Sequence, residues 1–330
     1  MQTLKLVAAS LLVLALASPA IAQTTHLAVI VGLSGDPEHA ELFQRWASTL
    51  VDASARLGVA HENVVYLSEK PEADSKRITG KSTKEEIVKA FDALSKASEE
   101  DVVFIVLIGH GTYEGKVAKF NLPGPDMTPE DFEAQLKRVR SRHIVFVNTS
   151  SASGPFMQAL AAPGRTIVTA TRTGAERFAT LFGGYFADAL AGTDADADKN
   201  HRVSVLEAFT YAKREVGVAY EREGIMLTEH AVISDNGDRE GTQAPTADGK
   251  VGRVASLLSL GTTDATDPLP ADPKLRALYT ERRDIERRIE ALKLLKDSME
   301  PAKYSSELER LATDLALKTR QIREAEGKLP

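Results

Sequence analysis

The sequence contains no cysteine in its 330 residues, and this absence excludes two kinds of chemistry. Neither a disulfide framework nor a thiolate nucleophile is available to the chain. Positive charge is also in deficit, since 41 Lys and Arg stand against 47 Asp and Glu, for a net charge of −6. Because nucleic-acid-binding proteins are typically basic, we expect no nucleic-acid partner.

Long hydrophobic runs are confined to the start of the chain. Lys5 precedes an apolar segment at residues 6–17, and Ala-Ile-Ala at residues 20–22 has the small-x-small pattern of a cleavage site. Because the apolar segment is too short to span a bilayer, residues 1–22 are predicted to be a secretory signal peptide. We therefore expect an exported protein, periplasmic or secreted, with no transmembrane segment and a net charge of −7 once Lys5 is removed.

Short apolar runs alternate with amphipathic segments over residues 26–225. The predicted strands cover residues 27–33, 64–67, a run that ends at His110, 143–148 and 166–170. Helices are predicted over residues 38–56, 178–189 and 205–219, and from capping signals at Ser82 and Thr128. This alternation predicts an α/β fold in which a parallel sheet is covered on both faces.

Two polar turns follow neighbouring predicted strands. A Gly-His-Gly turn around His110 ends the third strand, and a serine-rich segment at 149–154 follows the fourth. Because reactive groups gather beyond the carboxyl ends of parallel strands, His110 and Ser151 are candidates for a base and a nucleophile. Two structural alternatives remain open: the imidazole bonds a neighbouring carbonyl, and the serines cap the following helix.

Other polar residues are candidates for ligand contacts. Arg172 and Glu176 follow the fifth strand and are expected to border the same cleft, where they either bind substrate or pair with each other. Glu229 and His230 form a second candidate polar site. The sequence does not decide between these roles.

The segment 196–207 has the ligand spacing of a calcium-binding EF-hand loop. Counting Asp196 as position 1, the predicted ligands are the side chains of Asp196, Asp198, Asn200, Ser204 and Glu207, with the carbonyl of Arg202. His201 stands at position 6, where such loops have glycine, and a left-handed histidine costs about 1 kcal/mol. We expect one Ca²⁺ ion here, the alternative being an acidic solvated connection between two helices.

The chain changes character after residue 260. Residues 261–271 have the composition of a linker, and residues 272–328 carry apolar side chains at three-and-four spacing amid dense charge. This pattern predicts an antiparallel coiled-coil hairpin, which serves as a structural stalk, a homo-oligomer contact or a site for a specific partner. The preceding domain is expected to cover residues 23–260.

The order of these motifs resembles the caspase/legumain-like (asparaginyl endopeptidase-like) cysteine peptidases over residues 26–225. The turn around His110 resembles their catalytic histidine turn, and residues 144–156 resemble the strand and loop of their nucleophile. Because that loop reads Ala-Cys-x-Ser-Gly in legumain-like proteins, Ser151 falls on the cysteine. The resemblance implies a caspase-like three-layer fold, with His110 as acid/base and backbone amides of Gly111 and Ser151 around the oxyanion.

Ser151 is the departure that decides the expected function. A thiolate forms at modest pKa cost, whereas a serine hydroxyl needs a closely placed and oriented base. The loop at 34–39 also lacks the arginine with which family members bind an acidic or Asn side chain. We therefore expect a catalytically impaired homologue that binds a peptide or protein in the cleft. The alternatives are a hydrolase with a Ser151–His110 dyad and a scaffold that acts through the hairpin.

Overall fold

The computed structural model describes residues 23–261, 269–296 and 299–327. The predicted signal peptide and most of the predicted linker lie outside these residues. None of the helices within the described ranges is long and apolar enough to cross a membrane.

Within the described ranges, nine strands form one large sheet and one small hairpin. They are β1 (Thr25–Val31), β2 (Val64–Ser68), β3 (Gly80–Lys81), β4 (Val102–Ile108), β5 (Gly111–Glu114), β6 (Val117–Phe120), β7 (His143–Asn148), β8 (Arg165–Thr169) and β9 (Val232–Ser234). The large sheet has the order β3-β2-β1-β4-β7-β8-β9 and is parallel up to β8, with β9 antiparallel at the edge. The predicted parallel sheet is therefore confirmed. Strands of two to four residues were not predicted, because they are too short to show a period.

Eight α-helices accompany the sheet in the described parts of the chain. They are α1 (Pro37–Arg56), α2 (Lys84–Leu94), α3 (Pro129–Leu136), α4 (Gly154–Leu160), α5 (Phe182–Ala191), α6 (Val205–Glu223), α7 (Pro273–Leu294) and α8 (Pro301–Ala325). Side chains on alternate strand positions point to opposite faces, so two separate cores form. One core packs α1, α5 and α6 on the sheet, and the other packs α2, α3 and α4. This is the three-layer caspase-like fold.

Helix starts follow the cap chemistry, with two shifts. Thr128 is the N-cap of α3, as predicted, and Asp131 completes a capping box with it. The box predicted at Ser82 is wrong, because Thr83 is the N-cap and Ser82 donates its backbone N–H to Ser68 at 2.9 Å in the edge of the sheet. Helix α5 begins four residues later than predicted, where Glu229 accepts the first backbone N–H groups.

The two C-terminal helices pack against each other in antiparallel orientation. Tyr279 donates its hydroxyl hydrogen to Glu326 at 2.6 Å, and Lys318 pairs with Glu281 at 2.5 Å. The predicted helical hairpin is confirmed, while its coiled-coil geometry stays a prediction. The hairpin also contacts the α/β domain, where Arg253 donates to the carbonyl of Lys293 at 3.3 Å.

Candidate active site

The candidate active site lies at the carboxyl ends of β4 and β7, which are neighbours in the sheet. The Gly111 N–H donates to Ser151 Oγ at 3.2 Å, and the Ser151 hydroxyl donates to the Gly111 carbonyl at 3.1 Å. A side chain at Gly111 would collide with the carbonyl oxygen of Ser151. Glycine at position 111 therefore allows the two turns to approach each other.

His110 is oriented by a backbone carbonyl. Its Nε2 lies 3.0 Å from the carbonyl oxygen of Ser34. Because that oxygen only accepts, Nε2 carries the hydrogen and Nδ1 is left as the basic nitrogen. Burial and the nearby charge of His39 lower the pKa of His110, which favours a neutral imidazole.

A second histidine packs beside the first. The rings of His39 and His110 meet edge to face with their centroids 4.7 Å apart. The centroid of the Phe43 ring lies 5.1 Å from that of His110. The Asp36 carboxylate contacts His39 at 2.7 Å and orients that ring. Sequence reasoning missed His39. The only local signal was its position three residues after the helix cap Asp36.

The hydroxyl and the imidazole do not contact each other as a dyad. Ser151 is 3% exposed, and its Oγ makes both of its hydrogen bonds with Gly111. Within the described part of the chain it makes none with His110. No hydrogen bond therefore links the nucleophile position to the base, and the geometry lacks a direct proton path between them.

The serines after β7 shape a turn and do not cap α4. Ser150 donates to the side chain of Asn148 at 2.7 Å, and Ser153 Oγ lies 3.1 Å from Thr171 Oγ1. Helix α4 has no side-chain cap, so the capping alternative is wrong. Ala152 has a left-handed backbone with φ of 54°, which costs a non-glycine residue about 1 kcal/mol or more.

Arg172 and Glu176 lie on the loop after β8, against the turn that carries Ser151. Ala152 donates its N–H to the Glu176 carbonyl at 2.7 Å, and the Arg172 backbone packs on Gly154. The two side chains are not paired. The Glu176 carboxylate accepts the His230 N–H at 2.8 Å, whereas Arg172 is exposed and has no polar partner among the described residues.

The candidate metal loop brings three carboxylates together. Oxygens of Asp196, Asp198 and Glu207 lie within 4.8 Å of one another. His201 has φ of 66°, the left-handed backbone expected at position 6. Ser204 caps α6 in a capping box with Glu207, whose Oε2 accepts the Ser204 N–H at 2.8 Å. These hard oxygen donors fit a calcium ion, with the Arg202 carbonyl at position 7.

A mostly parallel sheet of this order, with a histidine turn and a serine turn at adjacent strand ends, defines a caspase-like peptidase domain. The chain belongs to the Peptidase C13 family, the legumain-like peptidases, whose profile matches residues 70–235. Protein GSU0716 from Geobacter sulfurreducens is similar in structure at 14% identity, with a TM-score of 0.42 over 64% of this chain and 92% of that chain. No curated protein shows significant sequence similarity to this chain.

Proposed function

We propose that this protein is an exported legumain-like peptidase homologue with little peptidase activity, which binds a peptide or protein in the cleft beside His110. The observation that carries the proposal is the pair of hydrogen bonds between Ser151 Oγ and the Gly111 backbone, in a chain without cysteine. The hydroxyl is held away from the base, and the amide that would bind an oxyanion is occupied by the hydroxyl.

The size of the expected loss follows from the chemistry. General-base assistance contributes about 10²–10⁴-fold to rates, and an unassisted hydroxyl forgoes it. The thiol of the family ionises much more readily, so it depends less on tight contact with a base. A serine in this geometry therefore retains a cleft but not a working nucleophile.

The test restores the family nucleophile. Wild type, Ser151→Cys, Ser151→Ala and the double variant Ser151→Cys/His110→Ala are incubated with a diverse peptide library, and cleavage is read by mass spectrometry. We expect cleavage by wild type at the background rate. Ser151→Cys should cleave at least about 10²-fold faster than this background, and the gain should be lost when His110 is also replaced. Wild-type cleavage, or fluorophosphonate labelling that is lost in Ser151→Ala, would instead support the Ser151–His110 hydrolase.

Arg172 supports the binding role. It is exposed, lacks a polar partner among the described residues and lies beside the Ser151 turn. Peptides bound in the cleft should therefore dissociate more readily from Arg172→Glu on a peptide array. Lys96→Glu is the matched control, because Lys96 is exposed and precedes the amino end of β4, at the opposite edge of the sheet. An equal effect of both variants would contradict binding in the cleft.

We also propose that the loop 196–207 binds one Ca²⁺ ion. The convergence of Asp196, Asp198 and Glu207 supports it, and so does the left-handed backbone at His201. When bound, the ion would neutralise the mutual repulsion that, together with burial, raises the pKa of Asp198.

Export and the hairpin complete the proposal. Residues 1–22 support export to the periplasm or medium, which cell fractionation with and without these residues tests directly. The hairpin of α7 and α8 offers a surface for a homo-oligomer or a partner. If the hairpin alone retained the function of the full chain, the scaffold alternative would replace the cleft.

A further inference from the structure

A cavity of about 220 Å³ lies between α5, α6 and residues 227–231. None of its lining residues is His110, Ser151, Arg172 or Glu176. Its apolar walls include Phe182, Val216, Leu227 and Ala231. The cavity therefore does not include the candidate active-site residues described above.

One buried carboxylate lines this cavity. Glu229 is 4% exposed, and its two oxygens accept the N–H groups of Leu181 at 2.8 Å and Phe182 at 3.2 Å. The Tyr220 hydroxyl also interacts with this carboxylate, which still retains capacity for a further donor because a carboxylate offers about four acceptor positions. Burial raises the pKa of Glu229 to about 7 despite these donors, and the charge of Glu176 adds to the rise.

The two cations that line the cavity, Lys213 and Arg214, direct their hydrogen bonds to groups other than Glu229. Lys213 donates to the carbonyl of Gln243 at 2.6 Å, and Arg214 donates to Glu215 at 2.8 Å. Within the described residues no cation forms an ion pair with Glu229. A buried carboxylate without a cation is unfavourable, so an ammonium group brought by a ligand would find an unused partner.

We propose that this cavity is a second ligand site, which accepts a primary ammonium group on a short alkyl chain. The ammonium group lies against the Glu229 carboxylate, and the chain packs on Phe182, Val216 and Leu227. A lysine side chain of a partner protein and a free alkylamine share this chemistry. The site does not depend on the proposed role of the Ser151 cleft.

Gly217 offers a way to close the cavity without harming the fold. It lines the cavity within α6, and an added Cβ there would meet no atom within 4 Å. Leucine has a higher helix propensity than glycine, so the substitution should not weaken α6. Gly217→Leu should therefore fill the space while the helix is retained.

The test is calorimetric titration of the purified protein with n-butylammonium and with neutral n-pentanol at pH 8. We expect saturable binding of butylammonium to wild type, at least about tenfold weaker binding to Glu229→Gln, and none to Gly217→Leu. Pentanol should bind at least about tenfold more weakly than butylammonium, because it cannot pair with the carboxylate. Equal affinity for the two probes, or full binding by Gly217→Leu, would overturn the proposal.

The pH dependence of binding tests whether the Glu229 carboxylate is the group that pairs with the ammonium. Affinity for butylammonium should rise roughly tenfold from pH 6 to pH 8, as Glu229 ionises, and the rise should vanish in Glu229→Gln. The other charged or titratable groups that face this carboxyl are Glu176, Lys213, Arg214, Tyr220 and His230. A rise that persists in Glu229→Gln would come from one of them and contradict the proposed ion pair. If Glu229→Gln fails to fold, Gly217→Leu and pentanol still decide the outcome.

A blocked lysine, Nα-acetyl-lysine amide, distinguishes the two sources of the ligand. If it binds as butylammonium does, the site accepts a side chain presented by a polypeptide. If butylammonium alone binds, the site accepts a free amine. Both results support the site and identify what it takes.

Discussion

The Ser151 hydroxyl donates to the Gly111 carbonyl at 3.1 Å and accepts the Gly111 N–H at 3.2 Å. The residue at the nucleophile position thus ties two turns of the sheet edge together. His110, next in the chain to Gly111, uses its Nε2 on the Ser34 carbonyl. The nucleophile position and the base are therefore held by different parts of the backbone, Ser151 by Gly111 and His110 by Ser34.

Ser151→Ala should lower stability and leave activity unchanged. The substitution removes the side-chain partner of the half-buried Gly111 N–H, which costs about 1–2 kcal/mol of unfolding free energy. Urea denaturation measures the loss, with Ser95→Ala as a control, because Ser95 bonds only a carbonyl near the surface of its own helix. A loss of hydrolysis without any loss of stability would contradict the structural role of Ser151.

Calcium should raise the melting temperature of the protein by several degrees over chelator. An ion that binds only the folded state stabilises it by roughly 2.7 kcal/mol at 100 times its dissociation constant, which we expect at about 10⁻⁵–10⁻³ M. Glu207→Ala should abolish the calcium-dependent rise in melting temperature. Because it also removes the α6 capping box, this variant should melt at a lower temperature both with calcium and with chelator. Asp194 is exposed and outside the ligand set, so the control variant Asp194→Asn should keep the calcium-dependent rise in melting temperature. Identical wild-type melts would leave an acidic solvated turn.

His201→Gly should stabilise the apoprotein and tighten calcium binding. The φ of 66° at this position costs a histidine about 1 kcal/mol relative to glycine. A melt in the presence of chelator should show a higher melting temperature for the variant. A calcium titration should show a lower dissociation constant. A decrease in apoprotein stability would show that the His201 side chain contributes a contact that outweighs its backbone strain.

Truncation after Gly261 should leave a soluble domain with a cooperative melt. Leu258 and Leu260 still belong to the domain core, whereas the hairpin contacts the domain through polar groups, which include Arg253 with the Lys293 carbonyl and Arg202 near the charge of Glu290. Circular dichroism and sedimentation measure fold and size. If the truncated protein only aggregates, the hairpin is part of the domain core.

Glu229 should make the protein less stable as the pH rises. Its folded pKa of about 7 lies above the ordinary value of 4.5, so the folded state prefers the protonated form. Below pH 4.5 the carboxyl is protonated in both states and does not lower the free energy of unfolding. As the pH rises from 4.5 to above 7, the free energy of unfolding falls by about 3 kcal/mol, because each unit of pKa difference corresponds to about 1.36 kcal/mol. Urea melts from pH 5 to pH 8 should show this decline in wild type. Glu229→Gln should lack it, and parallel declines in both proteins would count against the assignment.

Local patterns in the sequence determined much of the fold. The five main strands, the start of α3 at Thr128 and the C-terminal hairpin follow from apolar periodicity and cap chemistry, which involve residues only a few positions apart. The turns that carry His110 and Ser151 follow from strand ends in the same way. The spacing of the loop at 196–207 also brings the carboxylates of Asp196, Asp198 and Glu207 together, because a 12-residue loop is a local structure.

Tertiary structure decided what these groups do. Ser151 meets Gly111 across 40 residues, and Glu229 reaches the start of α5 across 47 and 48 residues. Hydrogen-bond partners at such separations depend on how strands and helices pack, which residue types alone do not encode. The burial that raises the pKa of Glu229 arises in the same way, because a carboxyl loses its water only when distant elements close around it.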